Sequence, residues 1–106
     1  MAKEKLTPAD NKFIEKFLNR DGKLNFDAGV TFKRRNSYSG AEVEVDPICA
    51  AAIDFILKVE VAMQCSENAL KAVHPDLKMS NAVSNFDRAR YIVMKLDGKA
   101  YSALLD

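Results

Sequence analysis

The spacing of apolar residues changes along the chain, and each change predicts a different element. Residues 7–18 carry one apolar stripe with helical spacing, made of Phe13, Ile14, Phe17 and Leu18. From residue 23 to 33 the apolar residues take alternate positions, and they do so again over residues 40–46. Alternation of this kind is typical of half-buried strands. The sequence therefore predicts a short helix followed by an antiparallel β-hairpin.

The hairpin should turn at residues 36–39, where the run NSYS is rich in turn formers. Such a loop places Lys33 opposite Glu42 on the solvent side and Phe32 opposite Val43 on the core side, so Phe32 is expected to be buried. A shift of two residues keeps the same parity on both faces, and the pattern leaves that alternative open.

Both ends of the first helix carry signals. Thr7 is the predicted N-cap, Pro8 suits the first helical position, and Asp10 stands where the acid of a capping box belongs. Gly22 is the predicted end of this helix.

The main helix should begin at Asp46-Pro47, with the aspartate as N-cap. Its apolar positions cover most of its girth, which indicates a central, largely buried helix. Phe55 is expected in the core, and Ile53, Leu57 and Val61 should widen the buried face. The helix is predicted to reach about Val73, with a possible break at Ser66.

A last amphipathic helix is predicted from a capping box at residues 84–87 through Leu104, weakened at Gly98 by about 1 kcal/mol relative to Ala. The fold class is α+β: an N-terminal helix, an antiparallel β-hairpin, then a long central helix and a C-terminal helix packed on one face of the small sheet. Its 106 residues are expected to form one domain, residues 1–106.

Composition narrows the functional classes. A net charge of +1 with 29% charged residues does not suggest a generally basic nucleic-acid-binding domain. Cys49 and Cys65 lie on the same predicted helix, roughly 24 Å apart, so they should stay free thiols, as in a reducing cytoplasm. The start of the chain shows no apolar stretch typical of a leader, and Asp54 interrupts the most apolar run.

Little in the sequence points to catalysis. There is one histidine, and none of the usual metal, nucleophile or phosphate-binding motifs is present. We therefore predict no catalytic residue, no metal site and no cofactor.

The hairpin tip is one candidate binding surface. Lys33, Arg34 and Arg35 precede Tyr38, and a basic β-ribbon with an aromatic residue can contact phosphates and stack on a base. Glutamates on the second strand should neutralise part of this charge.

The stretch AVHPDLK is the second candidate. Over residues 57–96 at most, it resembles the J-domain of chaperone partners, which holds His-Pro-Asp between two helices. That resemblance implies that His74, Pro75 and Asp76 dock on a heat-shock ATPase, with Lys71 and Lys78 as flanking charge. The interpretation we prefer is structural: His74 ends a helix near its negative dipole, Pro75 prevents continuation, and Asp76 starts a turn.

These observations favour a small, non-enzymatic, cytoplasmic interaction protein, acting as an adaptor, inhibitor or regulator. Its partner is expected to be another protein, with no membrane contact, and the chain itself a monomer or a weak homodimer through a sheet edge. A nucleic-acid-binding regulator that uses the hairpin tip and a J-domain-like co-chaperone are the alternatives.

Overall fold

A computed structural model of the chain describes residues 6–19, 31–36 and 38–105. The elements are α1 (Pro8–Phe13), a π-helical turn (Ile14–Leu18), β1 (Phe32–Arg35), β2 (Glu42–Val45), α2 (Pro47–Cys65), α3 (Glu67–Val73), α4 (Met79–Leu96) and α5 (Gly98–Leu104). Helix α2 packs along α4, and the hairpin packs on α2 and α5, which confirms the predicted α+β class. The predicted helix end at Gly22 and the predicted strand positions 23–30 lie outside the described residues.

Two predicted helix starts are confirmed by their hydrogen bonds. The Thr7 hydroxyl accepts from the backbone N–H of Asp10 at 3.1 Å, and the Asp10 carboxylate accepts from the Thr7 N–H at 3.0 Å. At α2 the Asp46 carboxylate accepts from the Cys49 N–H at 2.8 Å, with Pro47 at the first helical position. These caps were predictable because every contact lies within four residues of sequence.

The central helix breaks at Ser66. This residue is extended, with φ −166° and ψ 168°, so α2 ends at Cys65 and α3 starts at Glu67. Its hydroxyl accepts from the Ala69 N–H at 3.2 Å, which caps the new helix. The sequence left a break near Ser66 open as an alternative to one continuous helix, and the structure shows that the break is present.

The last helix differs from the prediction at both ends. Helix α4 begins at Met79, so the predicted capping box at residues 84–87 is wrong and lies inside the helix. The start is set by Asn81, whose side-chain oxygen accepts from the Lys78 N–H at 2.8 Å. At the other end Asp97 interrupts the helix and caps α5, accepting from the Ala100 N–H at 3.0 Å. An unanticipated cap therefore divides the predicted helix in two.

The hairpin pairs two residues away from the predicted register. Phe32 lies opposite Val45 rather than Val43, and Lys33 lies opposite Glu44. The alternation of the side chains is unchanged, which is why the sequence pattern could not separate the two registers. The last pair is Asn36 with Ala41, whose carbonyl accepts from the Asn36 N–H at 2.8 Å, so the turn lies one position further along the chain than predicted. Gly40, with φ 76°, takes the left-handed conformation that closes this loop.

The core forms around α2, as predicted, but with a narrower buried face. Phe55 is buried and meets the Phe13 ring edge to face, with centroids 5.5 Å apart. Leu57 and Val61, in contrast, are exposed, so the prediction that they widen the core is wrong. Phe32 is also exposed, at 42%, contrary to prediction, and a charged side chain of the same strand contacts α2 instead.

Candidate functional site

That charged side chain is Arg34, predicted as part of the basic hairpin tip. Its guanidinium donates from Nε and Nη2 to the two carboxylate oxygens of Asp54 on α2, both at 2.9 Å, and from Nη1 to the Lys33 carbonyl at 2.8 Å. This two-pronged arrangement is the strongest geometry for an arginine and a carboxylate. Arg34 therefore joins the hairpin to the central helix, and its hydrogen-bonding capacity is directed inward.

The other residues of the predicted tip are exposed. Within the described part of the chain, no carboxylate lies within ion-pair distance of Lys33 or Arg35. The Tyr38 side chain is 98% exposed. A phenol ring left almost wholly in water by a folded domain has its apolar area available for a partner.

The loop that carries Tyr38 is held in place by Asn36. The side-chain oxygen of Asn36 accepts from the N–H groups of Tyr38, at 2.8 Å, and Ser39, at 3.2 Å. Its amide nitrogen donates to the Ala103 carbonyl on α5 at 2.9 Å. One side chain thus shapes the loop and ties it to the last helix, so Tyr38 stands on an anchored support.

His74 lies in a different part of the molecule and is 8% exposed. Its ring packs on Phe17 with centroids 4.5 Å apart. Nδ1 accepts from the Asp76 N–H at 3.0 Å, and Nε2 lies 3.1 Å from the Lys16 carbonyl oxygen. A ring nitrogen that accepts an N–H carries no proton, so Nε2 is the donor to the Lys16 carbonyl.

The remainder of the His-Pro-Asp stretch follows the same pattern. Helix α3 ends at His74, whose N–H donates to the Leu70 carbonyl at 3.0 Å. The Asp76 carboxylate pairs with the Lys16 ammonium at 3.2 Å, and this contact lowers the pKa of Asp76. His74 and Asp76 thus fasten the α3–α4 turn to the π-helical turn, an arrangement that favours the structural interpretation.

Asp10 has a role beyond the predicted cap. Its carboxylate is fully buried and accepts from Arg88 Nη1 at 3.0 Å and from Lys95 Nζ at 2.7 Å, both on α4. Burial by itself raises the pKa of Asp10, while the hydrogen bonds from Lys95, Thr7 and Arg88 lower it more strongly. The pKa therefore lies well below its usual range, and the carboxylate clamps α1 to α4.

Arg90 lies on the other side of α4. Its Nη2 donates to the Tyr101 hydroxyl at 2.7 Å, and its guanidinium lies over the rings of Phe86, 5.7 Å away, and Tyr101, 5.8 Å away. The nearest carboxylate, that of Asp87, is 3.8 Å from Nη1. Two aromatic rings and one short hydrogen bond therefore fix the orientation of this arginine.

Arg90 separates two neighbouring cavities. The larger cavity, about 390 Å³, lies between the hairpin loop, α2 and α5. Its floor is apolar and includes Ile53, Ile56 and Leu104. Its rim carries Arg35, Tyr38 and Arg90. The smaller, about 320 Å³, lies between α4 and α5 and is lined by Asp87, Arg90, Tyr91, Met94 and Tyr101. We name the surface around both cavities the tyrosine face, made of Arg35, Tyr38, Arg90, Tyr91, Met94 and Tyr101.

All three tyrosines of the chain are on this face. From the set, the sequence predicted Arg35 and Tyr38, with Arg90 as one of three helical cations that could extend their patch, and the structure brings these three together. His74 and Asp76 line neither cavity. A usable signal for Tyr91 and Met94 existed: they are large apolar residues on the polar side of an amphipathic helix. Tyr101 had no such signal, because its position depends on the break at Asp97.

The remaining chemistry is limited. In residues 6–19, 31–36 and 38–105 no group of three histidine, cysteine or acidic side chains is placed to hold a metal ion. Burial, with the negative charges of Asp46 and Asp97, raises the pKa of the Cys49 thiol far above its usual range. Cys49 is therefore a thiol rather than a nucleophilic thiolate, and Cys65 is free and exposed.

No helix in the described ranges combines the length and the apolar character needed to cross a bilayer. Comparison of the chain with models of known protein families, with curated proteins and with solved structures gave no match.

Proposed function

We propose that this chain is a non-enzymatic, cytoplasmic protein-binding domain, an adaptor, inhibitor or regulator, and that the tyrosine face is its binding surface. The observation that supports the proposal is the gathering of all three tyrosines around two cavities that share Arg90. Tyrosine, arginine and methionine are enriched at protein interfaces, and tyrosine and arginine dominate their energetic centres.

The face is also suitably rigid. Arg90 is fixed between Phe86 and Tyr101, and the Tyr38 loop is tied to α5 by Asn36. Side chains that are ordered before binding lose less conformational entropy when a partner covers them. Tyrosine adds a large contact area with few rotatable bonds and a hydroxyl that can bond at the rim.

The groups that could perform chemistry support a non-enzymatic role. Asp10 and Asp54 are committed to arginine or lysine partners, and the His74 ring is engaged with Phe17, Lys16 and Asp76. Each of these contacts serves to join elements of the fold. Tyr38, Tyr91 and Met94 of the tyrosine face, in contrast, are exposed to solvent.

The test is quantitative affinity capture from the host lysate with two double variants of α4. Tyr91→Ser with Met94→Ser removes apolar area from the tyrosine face. Val83→Ser with Met79→Ser is the matched control, because Met79 and Met94 are 45% and 43% exposed on the same helix. Nuclease treatment of a parallel sample separates protein partners from nucleic acid.

We expect wild type and the control variant to capture the same protein in equal amounts. The tyrosine-face variant should capture at least tenfold less of it, and nuclease treatment should not reduce the amount captured. Loss of two hot-spot side chains of this kind costs at least 1–2 kcal/mol each, which accounts for the tenfold difference. Equal capture by both variants, or a nuclease-sensitive signal, would contradict the proposal.

A further inference from the structure

We propose that the larger cavity of the tyrosine face recognises an acidic peptide segment of a partner protein, one that inserts an apolar side chain into the cavity and places a carboxylate against Arg35 and Arg90. This inference rests on the proposed function and adds the chemistry of the ligand.

The floor of the cavity determines the apolar part of the ligand. Ile53 and Ile56 of α2 are almost fully buried, and Leu104 of α5 closes the cavity from the other side. A volume of about 390 Å³ accommodates an aliphatic or aromatic side chain with its neighbouring backbone. An aliphatic floor offers no polar group to read the edge of a nucleic-acid base, which favours a peptide.

The side chains at the rim of the cavity determine the charged part of the ligand. Among the described residues, Arg35 has no ion-pair partner, and Arg90 has one, the exposed Asp87, at 3.8 Å. Arginine presents its N–H donors in a fork that matches a carboxylate. These two cations therefore provide the electrostatic complement of an acidic side chain at the side of the cavity that faces the hairpin and α4.

Glu60 determines the direction in which such a segment lies. It lines the same cavity from α2 and is exposed, with no ion pair in the part of the chain that the structure describes. A carboxylate on the ligand is repelled at this side and attracted at the arginine side. Specificity of this kind needs a repulsive element as well as an attractive one, and Glu60 also disfavours a phosphate backbone.

Tyr38 completes the recognition site. Its loop is supported by Asn36 and closed by Gly40 in the left-handed conformation. A peptide in the cavity covers the otherwise exposed Tyr38 ring, and the apolar contact holds the segment beside the arginines.

The test selects a displayed library of random twelve-residue peptides on the full-length chain, with counter-selection on the variant Arg35→Gln with Arg90→Gln. We expect the enriched peptides to share Asp or Glu within about four residues of a Leu, Ile, Met or Phe, the reach of one helical turn. A synthetic consensus peptide then provides the probe for anisotropy titrations, alongside its analogue with Asn or Gln in place of the acid.

The analogue should bind about tenfold more weakly, as should the consensus peptide to Arg35→Gln, since each loses a charge-assisted hydrogen bond. Lys71→Gln, an exposed cation on α3, is the charge-matched control and should leave the Kd unchanged. Glu60→Gln should not weaken binding. Thermal melting of each variant confirms that the fold is intact.

Three results would overturn the inference. The first is a set of enriched peptides without a bias towards Asp or Glu. The second is a library in which every enriched peptide also binds the variant Arg35→Gln with Arg90→Gln. The third is a labelled dT12 oligonucleotide that binds more tightly than the consensus peptide and loses its binding in Arg35→Gln. In the first two cases the capture experiment with Tyr91→Ser and Met94→Ser still decides the proposed function independently. Binding of the oligonucleotide would move both conclusions towards nucleic acid.

Discussion

The two sides of α4 carry similar residues and use them differently. On one side Arg88 and Lys95, seven residues apart, both bond to the buried carboxylate of Asp10. On the other side Arg90 and Tyr91 stand beside open cavities. The first side holds the molecule together, and the second presents groups that the fold does not require.

The difference shows that a cation acquires its role from the element packed against it. Helix α1 places an acid under Arg88 and Lys95, whereas α5 places an aromatic hydroxyl beside Arg90. A buried carboxylate must be paired, because an unpaired charge in the interior is costly. An arginine supported by rings keeps most of its donors for a partner.

The largest effect is expected from removing the acid that distinguishes the two sides. Asp10→Asn leaves Arg88 and Lys95 without a counter-charge and weakens the Thr7 cap. Because both cations are partly exposed and can turn to water, we expect a loss of about 2 kcal/mol in the free energy of unfolding, below the usual 3–5 kcal/mol for breaking a buried pair.

Urea denaturation measures this loss. The matched control is Asp87→Asn, which neutralises an exposed acid on the open side of the same helix and should change stability by less than about 0.5 kcal/mol. Equal losses for the two variants would show that the two sides of α4 do not differ in the way described.

The same clamp predicts how stability depends on pH. The pKa of Asp10 is raised by burial and lowered more strongly by Lys95, Thr7 and Arg88, so in the folded state it lies below its value in the unfolded chain, about 3.9. A group of this kind stabilises the protein above its unfolded pKa, and the contribution is lost as the pH falls through the folded pKa.

Below about pH 4 the wild-type free energy of unfolding should therefore fall more steeply than that of Asp10→Asn. Denaturation curves at several pH values from 7 downwards give the difference between the two proteins. A difference that stays constant from neutral to acidic pH would mean that the folded-state pKa of Asp10 is not depressed.

A smaller loss in the free energy of unfolding is expected for His74→Gln, because the His74 ring, like Asp10, joins elements of the fold. Replacing a buried ring that contacts Phe17 and bonds to Lys16 and Asp76 should cost about 1–2 kcal/mol. Neither wild type nor the variant should stimulate a heat-shock ATPase. Stimulation by wild type that vanishes in a folded His74→Gln would make His-Pro-Asp the docking motif instead.

The smallest effect on stability is expected on the side of α4 that carries the tyrosine face. The variant Tyr91→Ser with Met94→Ser should lose no more than its control, Val83→Ser with Met79→Ser, within about 0.5 kcal/mol, because all four side chains are exposed. Parallel thermal melts compare them. A much larger loss for the Tyr91 pair would assign the tyrosine face to the fold rather than to binding.

The parts of the fold that could be predicted from sequence are those set by local contacts. The caps at Thr7 and Asp46 each close within three residues, so the residue types and spacing were sufficient. The hairpin register was degenerate by two residues. The start of α4 depends on Asn81, whose side-chain oxygen accepts from the N–H of Lys78, and lysine is not a usual N-cap residue.

The candidate site was only partly predictable, for a tertiary reason. Arg35 and Tyr38 lie close together in sequence and were expected as one surface. Their association with Arg90 and Tyr101 requires the hairpin to meet α5, a contact made by Asn36 with Ala103 across 67 residues. The same long-range packing decides that Arg34 turns inward to Asp54, which no property of the strand alone reveals.

Hydroxyl-radical footprinting of the chain, free and bound to its captured partner, shows which side chains the partner covers. Met94 and Met79 are both on α4 and almost equally exposed, so they are an internal pair for side-chain oxidation. We expect the partner to protect Met94, Tyr38 and Tyr91 while Met79 reacts as in the free chain. Protection of Met79 without Met94, or of neither, would contradict the assignment of the tyrosine face as the binding surface.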